Sequence, residues 1–385
     1  MKKFVMLLTG TCLGAGLALG GDTLPVGPGK KFDKPSAAIA AAKDGDIVEI
    51  DAAGSYDGDV AYIKKNSLTI RGKGEGRAKL DSKGKVAGGK AIFVAGGNDI
   101  TIENIEFIGA RCDDGNGAGI RAEGKNLTVR NCRIHDCQDA ILGGAGVVTI
   151  EYCEFSHCGL SESPVTHNLY ISPSVDKLIY RHNYSHFTTI GHLLKSRAKE
   201  NIIMYNRISD EDGTGSYVIN LPNGGRGVIV GNVIQKGPKA LNNNLIAYGE
   251  EGIKHTVNEL LVANNTFVND LGKGEFITVK KVPEDFTLVV RNNIFAGKGS
   301  LCNFPKAVME GNFSGGDPMF VDAAKYDYHL KAGSPCINKG VEPGKAGELS
   351  LAPESQYVHP SKAEKRPADG KLDIGAFEFS ADKSK

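Results

Sequence analysis

A short strand motif that returns along most of the chain limits its fold more than any other feature. Ile100-Thr-Ile-Glu-Asn-Ile-Glu-Phe107 is followed by Leu127-Thr-Val-Arg-Asn-Cys-Arg-Ile134 and Val148-Thr-Ile-Glu-Tyr-Cys-Glu-Phe155. Later copies are Ile202-Ile-Met-Tyr-Asn-Arg-Ile208, Val228-Ile-Val-Gly-Asn-Val-Ile234, Leu260-Leu-Val-Ala-Asn-Asn-Thr-Phe267 and Leu288-Val-Val-Arg-Asn-Asn-Ile-Phe295. A degenerate copy, Leu178-Ile-Tyr-Arg-His-Asn-Tyr184, fills the gap. The copies recur every ~20–30 residues, as in repeat architectures. Each alternates apolar and polar residues, as a half-buried strand does. Nothing between them is long enough for a crossover helix, so the strands are expected to stack in parallel as a coil. The expected class is all-β, a parallel β-helix or solenoid.

Asn206, Asn232, Asn265 and Asn293 share one column of this repeat, two residues before the closing apolar residue. An inward Asn at a turn can satisfy backbone groups above and below it, forming a ladder. Cys132 and Cys153 sit in the same column, 153 − 132 = 21 apart, and Cys137 and Cys158 repeat that spacing. Each pair is thus expected one rung apart, about 4.8 Å. A disulfide and a stack of free thiols both fit that distance.

The ends read as covers for the coil, which would otherwise leave core and strand edges open. Pro35-Ser-Ala-Ala-Ile-Ala-Ala-Ala-Lys43 predicts a short capping helix with Ser36 as N-cap. Gly45-Asp-Ile-Val-Glu-Ile50 then opens the first strand. The coil is expected over residues 21–300. Asp317-Pro-Met-Phe-Val321, Tyr328-His-Leu330 and Ile374-Gly-Ala-Phe377 read as irregular rungs and a cap within 301–385. The helix before Gly-Asp-Ile-Val-Glu-Ile, the Asn column and the closing Asp373-Ile-Gly-Ala-Phe-Glu378 resemble the pectate-lyase-like right-handed parallel β-helix superfamily over roughly residues 25–378. Such features specify fold better than chemistry.

Met1-Lys2-Lys3, the apolar run Phe4 to Leu8 and the Gly/Ala/Leu stretch to Gly20 read as a signal peptide. Ala18-Leu19-Gly20 places cleavage before Gly21, and Thr11 before Cys12 fits a lipid-anchor motif poorly. The expected mature chain has 385 − 20 = 365 residues, secreted or periplasmic, with no membrane span and acting as a monomer. Without Lys2 and Lys3 it has 46 − 2 = 44 basic against 45 acidic residues, a balance that argues against a nucleic-acid partner. Trp is absent, so Tyr and Phe must do any stacking on sugars. Eight cysteines less Cys12 leave seven, so at least one lacks a partner within the chain.

A second set of strands aligns by its inward residues Ile120, Ile141, Leu169, Leu194 and Ile219. The next residues, Arg121, Leu142, Tyr170, Lys195 and Asn220, then face out. Asn168, Ser172 and Arg197 follow on that face by the period of two, with His167 and His192 at the strand entrances. Lys195 and Arg197 are expected ~6.5–7 Å apart, a spacing suited to a uronate carboxylate. β-Elimination needs that carboxylate neutralised, a base for the C5 proton and an acid for the leaving oxygen. Arg197 can neutralise bidentately. Lys195, beside a second cation, can serve as base. Tyr170 or His192 can be the proton partner, leaving His167, Asn168, Asn220 and Arg121 for substrate binding. Read without function, the same Lys and Arg are a solvated strand face, and the two histidines are a structural stack at a turn.

Leu194-Lys195-Ser196, Asn201, Tyr205-Asn206, Gly213-Thr214 and Asn223-Gly224 are similar to the segment around the catalytic lysine of chondroitinase-B-like and alginate lyases. The resemblance implies that Lys195 is the base. It also implies a calcium ion as a possible cofactor, but Thr188 and Ile190 stand where that family has its ligand glutamates. Asn220-Leu-Pro-Asn-Gly224 stands where its arginine strand would be, and Arg197 is the available substitute. Asp113-Asp114 and Asp139 could be paired carboxylates for glycoside hydrolysis, but read more simply as loop and turn residues. Asp210-Glu211-Asp212 could bind calcium loosely, although the spacing of a recognised loop is absent. Glu250-Glu251, between glycines, reads as solvated. The expected function is a polysaccharide lyase on an acidic, uronate-containing glycan. The alternatives are a non-catalytic glycan-binding or surface-structural protein, and an epimerase or glycoside hydrolase using the same groove.

Overall fold

The computed structural model describes residues 21–159, 166–368 and 370–381. The leader at residues 1–20 lies outside these.

Each copy of the repeat motif becomes two strands on adjoining faces with a corner between them, and each coil adds a third strand. The first face is the stack Ala61–Ile63, Ala91–Ala95, the opening halves of Ala118–Arg130 and Asp139–Glu151, Leu169–Ile171, Leu194–Ser196, Ile219–Leu221, Ile246–Tyr248, Glu275–Val279 and Ser300–Cys302. The second face runs from Thr23–Val26 to Val308–Glu310 and contains the opening halves of the motif copies. The third face has ten strands, one per coil, from Ala78–Asp81 to Phe313–Ser314. Neighbouring coils pair in parallel throughout, so the sheets close on each other around a single core. Alternation places Phe107, Phe155, Phe267 and Phe295 in the core column of the third face, with Phe267 and Phe295 stacked 5.0 Å apart.

The corner between second and third faces must bend the chain sharply while buried. One residue there takes a left-handed conformation in most coils, including Asn131, Tyr152, His182, Tyr205, Asn264 and Asn292. The next residue is the ladder residue. Asn232 Oδ1 accepts from the backbone N–H of Asn206 at 2.9 Å, and Asn232 Nδ2 donates to Ile203 O at 2.9 Å. The same exchange links Asn183, Asn206, Asn232, Asn265, Asn293 and Asn312. Cys153 N–H donates to Asn183 Oδ1, and Cys132 N–H meets Cys153 Sγ at 3.4 Å, so the two cysteines continue the ladder with sulfur in place of an amide. All seven described cysteines are free thiols, which decides between the two readings of the stacked pairs. Burial pushes the Cys137 thiol up to about 12, so it is inert in the folded chain.

Both ends differ from expectation in detail. The capping helix is Pro35–Ala41, with Lys34 at the N-cap and Pro35 in the first turn. Ser36 does not cap it; its Oγ and N–H both bond Asp59, at 2.5 and 2.8 Å. Ala38 and Ile39 seal the first coil. The coil itself continues to Ser314. Beyond it the chain forms three antiparallel ribbons instead of irregular rungs: Phe320–Asp322 with Asp327–Leu330, Lys345–Ala346 with Leu349–Ser350, and Ser355–Val358 with Lys362–Lys365. This segment lies along the outside of the coil. Asp373 O accepts from Asn264 Nδ2, Val341 O from Asn292 Nδ2, and Tyr205 Oη from Glu354 N–H. A buried Arg366–Glu378 pair at 2.8 Å ties its end.

The ladder gives a direct stability test. Asn232→Ala strands the Asn206 N–H in the core, and chemical denaturation should show a loss of about 2–4 kcal/mol. A loss under about 0.5 kcal/mol would mean that the ladder is not a stabilising network.

Candidate active site

Leu169, Leu194 and Ile219 are fully buried, so the strand period turns Tyr170, Lys195 and Asn220 outward. These three are partners in adjacent rungs of the first face. Arg197 follows Lys195 on the same side. Its Nε donates to Tyr170 Oη at 2.9 Å and its Nη1 to Asn223 Oδ1 at 2.6 Å. Its Cζ lies 5.6 Å from the Tyr170 ring centre, and Lys195 Nζ lies 6.0 Å from it, within cation–π range.

Both cations converge on Glu251. Lys195 Nζ is 2.8 Å from Oε1 and Arg197 Nη2 is 2.5 Å from Oε2. The cations are nearly covered, at 12% and 16% exposure, whereas the carboxylate is 44% exposed. Burial pushes the Glu251 pKa up, but the hydrogen bonds from Lys195 and Arg197 outweigh it and hold the carboxyl below its usual range. Gly249 and Gly252 give the loop its positive φ, and the loop is pinned along the strand end. Gly249 N–H, Glu251 N–H and Lys254 N–H donate to Leu221, Pro222 and Asn223 carbonyls, and His255 Nε2 meets Arg197 O at 3.0 Å. Glu251 was read from sequence as solvated. The available signal was the length of its connection, Tyr248 to Glu259, against Ser196 to Glu200 two coils earlier.

The remaining candidates divide. Asn220 sits beside Lys195 on the same face, 2% exposed. Arg121 shares the column but lies two rungs from Tyr170 through Leu142, about 10 Å along the axis, and three from Lys195, and makes no ion pair or hydrogen bond among the described residues. Asn168 does not face out. The strand starts only at Leu169, so the chain is still turning, and the Asn168 side chain points into the core, donating to Ser185 Oγ and His186 O. His167, buried, and His192, half-buried, stack 4.8 Å apart and 13° from parallel, flanked by Tyr170 and Tyr217. Each Nδ1 accepts a backbone N–H from the next rung, His192 N–H at 3.0 Å and Tyr217 N–H at 3.1 Å. Burial, then the charges of Lys195 and Arg197, lower the His167 pKa to about 3. Burial and the neighbouring His167 ring and Lys195 lower that of His192 well below the ordinary value. Burial thus favours the neutral form of both rings, and Nδ1 of His192, expected as a proton partner, is taken up by the Tyr217 N–H. NMR should show the His167 ring untitrated above pH ~4; titration near pH 6.5 would refute its burial as a neutral ring.

Asp113 and Asp114 are exposed in a loop, far in character from Asp139, which is buried. Asp139 Oδ1 accepts the His167 N–H at 2.6 Å, and its Oδ2 has no partner. Burial raises its pKa to about 7, against the opposing pull of that hydrogen bond and of Arg121. A raised carboxyl pKa means that the folded chain holds its proton more tightly than the unfolded one. Its cost therefore grows as pH rises from about 4 to 7 and is complete above 7. Asp139→Asn should raise stability at pH 8.5 by on the order of 2 kcal/mol and leave it nearly unchanged at pH 4, measured by urea unfolding. Equal effects at both pH values would refute the burial of a charge there. Asp210 pairs with fully buried Lys236 at 3.1 Å, Glu211 pairs with Arg207, and Glu250 with Lys280.

The position implied for calcium does not fit the ion. Thr188 is buried with its hydroxyl donating to Cys158 and Ile190 carbonyls, and Ile190 has no side-chain donor. Among the described residues no group of three or more His, Cys, Asp or Glu side chains could hold a metal, and no helix is long and apolar enough to cross a membrane.

A family model described as "Right handed beta helix region" matches residues 77–240. Pectate lyase Pel9A superposes with a TM-score of 0.63 over 93% of this chain and 96% of that one, at 15% identity. The chain has the pectate-lyase-like right-handed β-helix fold. An alginate lyase from Paenibacillus sp. str. FPU-7 gives a TM-score of 0.47 at 13% identity, covering 75% of this chain and 97% of that one. The A-module of an Azotobacter vinelandii mannuronan C-5 epimerase gives 0.41 at 13% identity, covering 78% and 92%. No curated protein matches the chain. At 15% identity the likeness to Pel9A establishes the β-helix and leaves the chemistry to the site.

Proposed function

We propose that the first face around Tyr170, Lys195 and Arg197 binds the carboxylate of a uronate-containing polysaccharide outside the cell and cleaves the chain by β-elimination. The observation that carries this reading is the grip of Lys195 and Arg197 on one carboxylate, Glu251. Two cations shielded beneath a more exposed acid form a carboxylate receptor, and Glu251 fills it with the chain's own group. A substrate uronate would displace Glu251 from Arg197, whose fork suits a planar carboxylate. Neutralising that carboxylate acidifies the C5 hydrogen. Lys195, as the free amine, takes this proton. The C5–H electrons form the C4=C5 double bond, the C4–O4 bond breaks, and O4 takes a proton from the Tyr170 hydroxyl. Tyr170 Oη already bonds Arg197, which places acid and neutraliser side by side.

Alginate, pectate and glycosaminoglycans offered separately should include at least one that yields a rise in ultraviolet absorbance from the unsaturated product. Lys195→Ala should lower kcat by about 10²–10⁴-fold. Glu251→Gln should lower KM, because a neutral amide competes less well for the cations. No absorbance rise with any polymer, or full activity in Lys195→Ala, would overturn the lyase reading. A second reading, glycan binding without cleavage, is favoured by the same Glu251 contact, since both cations are engaged in an ion pair. It expects polymer retention on an affinity gel with no unsaturated product. Changed uronate stereochemistry in uncleaved polymer would identify an epimerase, and new reducing ends without unsaturation a hydrolase.

A further inference from the structure

The C-terminal ribbons do not lie flush on the third face. Between them and the coil is a cavity of about 240 Å³ lined by Arg207, Tyr326, Tyr328, His329, Tyr357 and His359, among others. It reaches the surface, since Lys325 and His359 line it and are exposed. It belongs to a different face from Lys195.

Its walls are aromatic and its charges are already spent. Arg207 lies between two tyrosine rings, its Cζ 5.0 Å from both Tyr184 and Tyr326, and pairs with Glu211 at 3.0 Å. Lys325 pairs with Asp322, and Asp327 with His329. His329 also stacks on Phe377 at 4.1 Å. An ionic ligand would find no free counter-charge here. Three buried polar atoms of the lining have no hydrogen-bond partner in the chain: Arg207 Nε, Tyr328 Oη and His329 Nε2. Arg207 is 7% exposed and Tyr328 2%. Buried polar groups of this kind ordinarily find partners. Three on one aromatic-walled cavity call for a ligand with an apolar face and hydroxyls around its edge. The cavity lies just under the ~300–1,000 Å³ of sites that enclose drug-sized ligands, which suits one ring and not a chain.

We propose that this cleft is a second carbohydrate site that holds one uncharged pyranose ring, with Arg207 Nε and Tyr328 Oη bonding its hydroxyls and Tyr326 covering its face. It would bind neutral sugar independently of the carboxylate receptor on the first face.

The test uses the full chain and the methyl pyranosides of glucose, galactose, mannose and xylose, titrated by NMR with labelled tyrosine. At least one should shift Tyr326 and Tyr328 signals with a millimolar Kd. Tyr328→Phe should weaken that binding about fivefold, the loss expected for one neutral hydrogen bond, while Tm holds or rises because an unpaired hydroxyl is removed. Lys195→Ala should leave the Kd within about twofold of wild type. The proposal is overturned if none of the four sugars shifts these tyrosines, if Tyr328→Phe binds equally well, or if Lys195→Ala abolishes binding. The last result would assign the sugar to the first face.

Discussion

Each coil in this chain must turn a buried corner, and the groups exposed by that turn have no strand partner. The amide ladder from Asn183 to Asn312 resolves this by letting each side chain accept an N–H from the preceding coil and donate to a carbonyl of that same coil, while its amide also donates to the next Asn of the column. Without it the left-handed residues that make the bend would sit beside unpaired N–H groups in an apolar core. Everything else follows from the ladder holding coils in register. Only when register is fixed does the strand period assign the same residues to the outside in successive coils. Tyr170, Lys195 and Asn220 come together because they are register partners, with Arg197 one step along the same face.

The cysteines show what the ladder requires. Cys132 and Cys153 take the amide's place with a weaker acceptor in the early coils, where Cys153 N–H reaches Asn183. A thiol fills the column, accepts one N–H and donates onward to the preceding coil, Cys132 Sγ to Ile102 O at 3.7 Å and Cys153 Sγ to Val129 O at 3.6 Å, more weakly than an amide does. Free thiols in these positions are packing residues, shielded by burial from the chemistry that their stacked spacing invites.

What could be read in the sequence was whatever repeats. The motif copies, the Asn column and the outward set Tyr170, Lys195 and Asn220 depend on period and spacing, which a linear string displays. The losses occurred where the chain leaves the period. Asn168 precedes the strand, so alternation did not apply to it. Ser36 looked like a cap, yet Pro35 in the first turn moved the helix start to Lys34. The segment after Ser314 contains strand-like runs, but they pair with each other in antiparallel ribbons, and nothing local distinguishes such a run from a rung. Glu251 reaches Lys195 across 56 positions in sequence, a distance at which spacing carries no information.

The histidines explain why two cations can share so small an area. A charged ring at His167 would add a third positive group beside Lys195 and Arg197, at a site already poor in solvent. The backbone prevents this. Each Nδ1 is committed to an N–H donor from the next rung, so protonating it would break that bond as well as place a charge in the core. The stack is thus a neutral aromatic wall that spaces the strand entrances and supports Tyr170 from behind. Its neutrality leaves Glu251 as the carboxylate that balances the receptor. A single acid on a glycine-bounded loop therefore closes the cation pair, and it is this acid that an anionic ligand would displace under the proposed function.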